Sequence, residues 1–213
     1  MSDMKIRIFE LGALGTNGYL VWDEKSRESM MIDPGAFGSA VEKAIKENRL
    51  ILKYITLTHG HFDHVGGVED FKAAHPEAIV AAGAGESDLP GFPGMSAEFT
   101  TGLILKEGDE ILLGDLVFQV IETPGHTPGG LSYYIDDWDD DLSDKPYSGT
   151  VFSGDTLFHG SIGRTDLGGG DFDILRSSII NKLYTLPDDT IVLPGHMEAT
   201  TIGYEKRYNP FVR

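Results

Sequence analysis

The sequence predicts a mixed α/β (α+β) fold in which strands and helices form a sandwich with one polar edge. Short β-branched apolar runs bounded by Gly, Pro and Asp recur along the 213 residues, and segments with helical spacing of apolar residues lie between them. Separate strand-like runs also end at residues that can bind a metal, which are His59, His126, Asp155 and His196. Because packed layers bring strand ends to common edges, we expect these side chains to lie together.

The first half of the chain alternates strands with helices. Strands are predicted at 5–11, 19–22, 30–33, 51–57 and 78–82, since each is an apolar run that turn-forming residues follow. Helices are predicted at 40–50, with Ser39 as N-cap, and at 68–74, which Pro76 stops. Asp33 begins an Asp-Pro-Gly turn, so we expect it to support the site or form the turn rather than to bind a metal.

The second half repeats this pattern with longer connections. A hairpin and three further strands are predicted at 110–113, 116–123, 131–135, 150–155 and 189–196. Asp171 is expected to cap a helix through Leu183. The Gly/Pro-broken loop 86–101 is either part of a substrate mouth or a satellite packing patch. The acidic connection 136–144 lacks the regularly spaced oxygens and closing Glu of a calcium loop, so it is interpreted as solvated charge.

The segment 58–64 contains four metal-capable side chains. They are His59, His61, Asp63 and His64. His59 and His61 alternate along extended backbone and point to one side, whereas Asp63 and His64 follow a turn and point elsewhere, which favours two metals over one. Imidazole and carboxylate ligands suit zinc, with iron, manganese or cobalt as alternatives. A solvated polar loop is the other interpretation, but such loops do not usually concentrate three histidines beside an aspartate.

Composition excludes several classes of function. The formal net charge of −17 argues against nucleic acid or an anionic membrane as partner, because a phosphate surface requires basic side chains. A small anionic substrate is compatible, since two divalent cations reverse the charge within a cleft. The length predicts one domain, 1–213, with halves of roughly 1–115 and 116–213. No segment has the pattern of a membrane span or a signal, and Cys is absent, so a cytoplasmic location is expected.

The set of metal-capable residues also resembles a known family. His59-x-His61-x-Asp63-His64, followed in order by His126, Asp155 and His196, resembles the metallo-β-lactamase superfamily. Segments 152–158, 163–166, 194–196 and 200–203 are similar to the glyoxalase II (hydroxyacylglutathione hydrolase) enzymes, especially the short bacterial forms without the C-terminal helical domain. The resemblance implies a four-layer αβ/βα sandwich, in which two mixed β-sheets are flanked by helices and a dinuclear site lies between the sheet edges.

The resemblance also implies roles for individual residues. One metal would be held by His59, His61 and His126, the other by Asp63, His64 and His196, with Asp155 bridging. The implied cofactors are two divalent ions, with zinc expected first and iron or manganese as alternatives. The implied activity is hydrolysis of a small acyl thioester, most closely S-2-hydroxyacylglutathione, by a metal-bridged hydroxide. Asp63 would serve as ligand and proton acceptor, and Asp155 would fix the metal separation.

Two further residues are expected to contact the substrate. Arg164 occupies the place where long glyoxalase II enzymes have a basic residue for a glutathione carboxylate. His159 is expected to line the mouth or to orient a carboxylate. The sequence departs from the glyoxalase II pattern at 165–166, where an aromatic residue is missing, and at 197–198, where Met-Glu replaces a Glu-Tyr pair.

The same fold supports other functions. A mononuclear iron persulfide dioxygenase, which uses two histidines and an aspartate, is the main alternative. A β-lactamase is disfavoured because no export signal is visible, and a nuclease because its additional nucleic-acid-binding domains have no room in the chain. A non-catalytic binding module does not explain why a second set of ligands is kept. The sequence predicts no oligomeric state.

Overall fold

The computed structural model describes residues 4–88, 99–136 and 148–212 and contains two six-stranded sheets. The first sheet comprises β1 (Met4–Leu11), β2 (Thr16–Asp23), β3 (Glu28–Ile32), β4 (Ile51–Thr56), β5 (Ile79–Gly83) and β6 (Leu103–Leu105). The second half of the chain forms β7 (Glu110–Leu113), β8 (Leu116–Glu122), β9 (Leu131–Ile135), β10 (Thr150–Gly154), a small hairpin of β11 (Leu157–Phe158) and β12 (Ser161–Ile162), then β13 (Ile191–Pro194) and β14 (Thr200–Thr201). Most of the predicted loop 86–101 and of the acidic connection 136–144 lies outside the described residues.

Both sheets mix parallel and antiparallel pairs. In the first sheet, β1, β2 and β3 are antiparallel neighbours, whereas β3, β4, β5 and β6 run parallel. In the second sheet, β7 to β10 form an antiparallel meander, β13 lies parallel to β10, and β14 closes the edge. The parallel pairs align the carboxyl ends of β4, β10 and β13 with turns that carry the predicted metal-binding residues.

The helices are short and lie between these strands. They are α1 (Ser39–Glu47), α2 (Phe62–Val65), α3 (Val68–Ala74), α4 (Phe172–Asn181) and α5 (Ile202–Tyr208). Among the described residues, no helix combines the length and apolar character that crossing a membrane requires.

Three hydrophobic cores, one at each interface between layers, hold the sheets and helices together. The two sheets enclose a core that includes Tyr19, Phe118, Tyr133 and Phe152. Tyr19 packs edge-on against Phe152 with ring centroids 5.1 Å apart, a geometry favoured by the ring quadrupoles. A second core joins the first sheet to α1 and α3, and a third joins the second sheet to α4 and α5. The four-layer αβ/βα sandwich is therefore confirmed.

The helix boundaries differ from the sequence prediction at three places, one of which is the end of α1 at Glu47 rather than at residue 50. Ser39 was expected as N-cap, but it is the first residue of α1, and Gly38 occupies the cap with extended backbone and no side-chain bond. The prediction was wrong because the Gly38 carbonyl already accepts the Val41 and Glu42 N–H groups, at 3.0 and 3.2 Å, so the helix begins one residue earlier. Asp171 is confirmed as the N-cap of α4, where its side chain accepts the Ile174 N–H at 3.0 Å. That helix ends at Asn181, before the predicted end.

Candidate metal centre

The predicted metal-binding residues lie just beyond strand ends from both sheets. His59 follows β4 of the first sheet, while His126, Asp155 and His196 follow β8, β10 and β13 of the second. Loop hydrogen bonds also join the sheets here, since the Leu131 N–H donates to the Thr58 carbonyl at 2.7 Å. The site therefore lies where the edges of the two sheets meet.

One group of three histidines gathers on one side of the site. The first ligand group is His59, His61 and His126, with one ring nitrogen from each lying within 4.8 Å of the others. His61 Nδ1 is 2.9 Å from His126 Nε2. His126 Nδ1 donates to the Arg164 carbonyl at 2.7 Å, since a carbonyl only accepts. This bond fixes the tautomer, so the His126 Nε2 lone pair faces the other histidines.

A second group combines a carboxylate with two histidines. The second ligand group is Asp63, His64 and His196, whose ligand atoms also lie within 4.8 Å of one another. Asp63 Oδ2 is 3.1 Å from His196 Nε2 and 3.6 Å from His64 Nε2. Behind the group, His64 Nδ1 donates to Asp33 Oδ2 at 2.9 Å, which directs Nε2 toward the cleft. The helix α2 brings Asp63 and His64 to this side, away from His61.

Asp155 lies between the two ligand groups. Its Oδ1 is 3.3 Å from His64 Nε2, and its Oδ2 is 3.6 Å from His126 Nε2 and 3.8 Å from His196 Nε2. Gly195 allows this close packing, because a Cβ at that position would lie 2.5 Å from Asp155 Oδ1. One carboxylate thus reaches histidines of both groups.

Unpaired buried atoms provide a test of whether these residues fit a metal. Within the described ranges, His59 Nε2, His64 Nε2 and Asp155 Oδ1 are buried and have no hydrogen-bond partner. An unsatisfied buried polar atom costs about 1–3 kcal/mol, and divalent cations would satisfy all three atoms. Nitrogen and carboxylate donors without thiolate suit zinc, iron or manganese. The residues present therefore fit a metal centre.

The two ligand groups differ in protonation. Burial lowers the pKa of His59 and of His126, and lowers that of His61 to about 4, so the first ligand group is neutral at pH 7. In the second group, burial alone lowers the pKa of His64, but the charges of Asp155 and Asp33 outweigh burial and raise it. The hydrogen bond that His196 donates to Asp63 raises the pKa of His196. The second group therefore holds protons more strongly.

Asp63 remains ionised in this environment. Burial alone raises its pKa, but the hydrogen bond from His196 and the charge of His64 outweigh burial and lower the pKa to about 2. The side chain also accepts from the Thr16 hydroxyl at 3.3 Å. A carboxylate with this pKa is a ready ligand for a cation at neutral pH.

The two expected substrate residues lie outside both ligand groups. The Arg164 guanidinium is exposed and donates to both oxygens of Asp166, at 2.7 and 2.8 Å, while its backbone carbonyl orients His126. His159 Nδ1 lies 2.6 Å from Glu198 Oε1, and its ring packs against Tyr204 with centroids 4.8 Å apart.

Two side chains that sequence reasoning missed bind the loops of the centre. Glu86 is buried and accepts the N–H groups of Gly60 and Gly129, each at 2.6 Å. Asn17 on β2 donates to the carbonyls of Pro194 at 3.0 Å and Met197 at 2.9 Å, which flank His196. Neither residue belongs to a metal-binding pattern, so no local signal identifies it.

The fold and the centre define a class of protein. Residues 11–196 match the Metallo-beta-lactamase superfamily. The chain belongs to this superfamily, as the sequence predicted.

Individual relatives cover nearly the whole chain. The hydroxyacylglutathione hydrolase GloC of Haemophilus influenzae is 36% identical over 221 residues, which cover 98% of each chain. Among solved structures, the BLEG-1 B3 metallo-beta-lactamase has a TM-score of 0.83 with 34% identity, covering 98% of this chain and 99% of the other. TTHA1623 in a di-iron-bound form has a TM-score of 0.77 with 34% identity, covering 96% and 99%. The glyoxalase II-like resemblance of the short chain is thereby confirmed.

Proposed function

We propose that this protein is a dinuclear metal-dependent hydrolase of small acyl thioesters, with S-2-hydroxyacylglutathione as the leading substrate class. The observation that carries the proposal is the pair of ligand groups with Asp155 between them. A mononuclear enzyme needs only one such group, so the presence of both favours two metals. The similarity to GloC of Haemophilus influenzae supports the thioester class.

The proposed roles follow from the positions of the side chains. The first ligand group would hold one cation and the second ligand group the other, with Asp155 shared by both. When bound, two cations lower the pKa of a shared water to near 7 and polarise a carbonyl. Asp155 would fix the spacing of the two ligand groups. Ionised Asp63 would accept the proton that the attacking water gives up. A thiol has an ordinary pKa of about 8.5, so a thiolate leaves without a strong general acid.

Zinc is the proposed metal, with iron or manganese as alternatives. The donor atoms are imidazole nitrogens and carboxylate oxygens, which accept all three ions. TTHA1623, which is 34% identical, has been solved in a di-iron-bound form. This similarity supports binding of two cations, and it supports iron as an alternative to zinc.

Arg164 and His159 are the proposed substrate contacts. The Arg164 side chain is 60% exposed and its ion pair with Asp166 is at the surface, where such pairs contribute little energy. Replacing the Arg164–Asp166 ion pair with an ion pair between Arg164 and a substrate carboxylate therefore costs little free energy. His159 is fixed through Nδ1 by Glu198, which leaves Nε2 for a polar group of the substrate.

Steady-state hydrolysis of S-lactoylglutathione tests the proposal. The protein is reconstituted separately with zinc, iron and manganese, and Asp155→Asn serves as the blank. High kcat/KM that the substitution abolishes would support the assignment. Absence of turnover on S-lactoylglutathione and on a panel of acyl-coenzyme A and acyl-pantetheine thioesters would overturn it.

Two alternative functions give different results in the same preparations. BLEG-1, a B3 metallo-beta-lactamase by its description, is 34% identical, so a chromogenic cephalosporin is included. Its turnover at a higher kcat/KM than any thioester would move the assignment to β-lactams. One tightly bound iron per chain with oxygen uptake on glutathione persulfide would instead indicate the persulfide dioxygenase.

A further inference from the structure

Glu86 connects two loops that supply the first ligand group. It follows β5 of the first sheet and is only 1% exposed. Its Oε2 accepts the Gly60 N–H at 2.6 Å, and its Oε1 accepts the Gly129 N–H at 2.6 Å. Charge-assisted bonds of this length are among the stronger hydrogen bonds in proteins.

The two donors come from loops on different sheets. Gly60 lies between His59 and His61, after β4 of the first sheet, and Gly129 follows His126 in the loop between β8 and β9 of the second. All three histidines of the first ligand group are thus within three residues of a glycine that Glu86 binds. One carboxylate therefore constrains the separation of both parts of this group.

Close packing leaves the Glu86 carboxylate little freedom to move. A Cβ at Gly129 would collide with the Ala84 carbonyl and lie 2.8 Å from Glu86 Oε1. A Cβ at Gly83 would collide with the Gly129 carbonyl. The turn after β5 and the loop carrying His126 are therefore in direct backbone contact, with the carboxylate enclosed between them.

The charge of Glu86 is also relevant to a cation. Burial raises the pKa of this carboxyl, and the two backbone N–H groups oppose that shift. Among the described residues, backbone N–H groups and no lysine or arginine hold the carboxylate. A divalent cation in the adjacent histidine group would gain from a buried negative charge at this position, because water screens it weakly there.

We propose that Glu86 is a positioning residue that sets the metal affinity of the first ligand group. It acts by holding the His59–His61 and His126 loops at a fixed separation and by adding a buried negative charge behind them. The inference rests on the proposed function insofar as this group binds a cation. It predicts that the second ligand group is insensitive to Glu86.

The test is metal binding by Glu86→Gln in the full chain. Glutamine keeps the size of the side chain but removes the charge, and its NH₂ faces one of the two N–H donors, so one bond is lost. We expect affinity of the first ligand group for Zn²⁺ to fall by about 10–100-fold, as for other residues that orient metal ligands. Competition with a chromophoric chelator measures both dissociation constants, and NMR of Co²⁺-loaded protein identifies which histidines are ligated.

Glu205→Gln is the matched control. Glu205 is fully buried and also accepts backbone and side-chain donors, namely Gly160 N–H, the Thr200 hydroxyl and the Asn209 amide. None of its partners lies in the loops of the first ligand group. Its substitution should lower thermal stability while leaving the Zn²⁺ affinity of that group unchanged.

The outcomes separate this inference from the proposed function. Wild-type affinity of both groups in Glu86→Gln, or an equal loss in Glu205→Gln, would overturn the role of Glu86 while leaving the hydrolase intact. Wild-type protein that binds only one cation would instead overturn the dinuclear function. If Glu86→Gln does not fold, Glu86→Asp replaces it. This variant keeps the charge but is too short to reach both N–H groups, so its affinity should still fall.

Discussion

Asp33 and His64 form a buried pair in which Asp33 Oδ2 lies 2.9 Å from His64 Nδ1. Asp33 also accepts the Thr58 N–H at 2.7 Å and the Thr58 hydroxyl at 2.6 Å. Its backbone φ of +50° is in the left-handed region, which aspartate tolerates better than most residues. The turn after β3 thereby orients both the start of segment 58–64 and one of its histidines.

Substitution Asp33→Asn is expected to weaken metal binding at the second ligand group. The amide removes the charge that raises the pKa of His64 and loses at least one of three hydrogen bonds. Zinc affinity of that group should fall by about 10–100-fold, and the free energy of unfolding by about 1–3 kcal/mol. Chelator competition and urea denaturation measure the two effects. Asp23→Asn is the control, since Asp23 is equally buried but bonds Ser26; a similar loss of zinc in that variant would contradict the prediction.

Asn17→Ala is expected to reduce turnover through His196. The substitution removes the two amide N–H donors that hold the carbonyls on either side of this histidine, at about 1 kcal/mol of stability for each bond. We expect a lower kcat and weaker binding of one cation per chain, measured by thioester hydrolysis and metal analysis. Asn48→Ala removes a comparable bond to Ala44 at the end of α1 and should leave both unchanged. Equal kcat in the two variants would refute a role for Asn17.

The two cations are expected to differ in pH dependence. The lowered pKa values of His59, His61 and His126 mean that protons compete with metal less at the first ligand group than they would at ordinary histidines. The raised pKa values of His64 and His196 mean that metal must displace protons from the second group, so affinity there should fall about tenfold per pH unit for each displaced proton. Equilibrium dialysis between pH 8 and pH 5 should show the second group losing zinc first. Simultaneous loss of both cations would be inconsistent with this order.

Removing the metals should destabilise the protein. Without them, His59 Nε2, His64 Nε2 and Asp155 Oδ1 are buried and have no hydrogen-bond partner among the residues that the structure describes. At free zinc about 100-fold above the dissociation constant, each cation adds about 2.7 kcal/mol, which corresponds to roughly 5–10 °C in Tm for a chain of this size. Calorimetry with and without a chelator measures this shift. His59→Ala combined with His64→Ala should abolish it, whereas His75→Ala, outside both groups, should keep it.

The gathering of the proposed ligand residues was predictable because they follow strand-like runs, and segment 58–64 combines several of them locally. Asp33 was predicted to have a supporting or turn-forming role, since an Asp-Pro-Gly turn is a local signal. Glu86 had no such signal, because its partners Gly60 and Gly129 are 26 and 43 residues away. The proposed role of Glu86 depends on contacts that form only when the two sheets have packed together.

The short strands β6, β11, β12 and β14 were not predicted, and one helix start was misplaced. Strand β6 has three residues and lies beside the Gly/Pro-broken loop, so it is too short to give a period-2 pattern. The N-terminus of α1 was misplaced by one residue because a cap depends on backbone conformation as well as residue type. Pairing with the distant strand β5 decides the first, and the local backbone bonds of Gly38 decide the second.

Arg164→Ala is expected to raise KM for an anionic thioester without changing kcat. The side chain is exposed and outside both ligand groups, and the backbone carbonyl that orients His126 is kept. We expect an increase in KM of about threefold to tenfold at low salt, shrinking as ionic strength screens the charge. Arg207→Ala is the matched control. It removes an exposed cation from α5, where the Arg207 guanidinium lies over the Tyr208 ring. Initial rates at low and high salt with wild-type metal content measure the effect, and an equal KM in the two variants would exclude Arg164 from substrate binding.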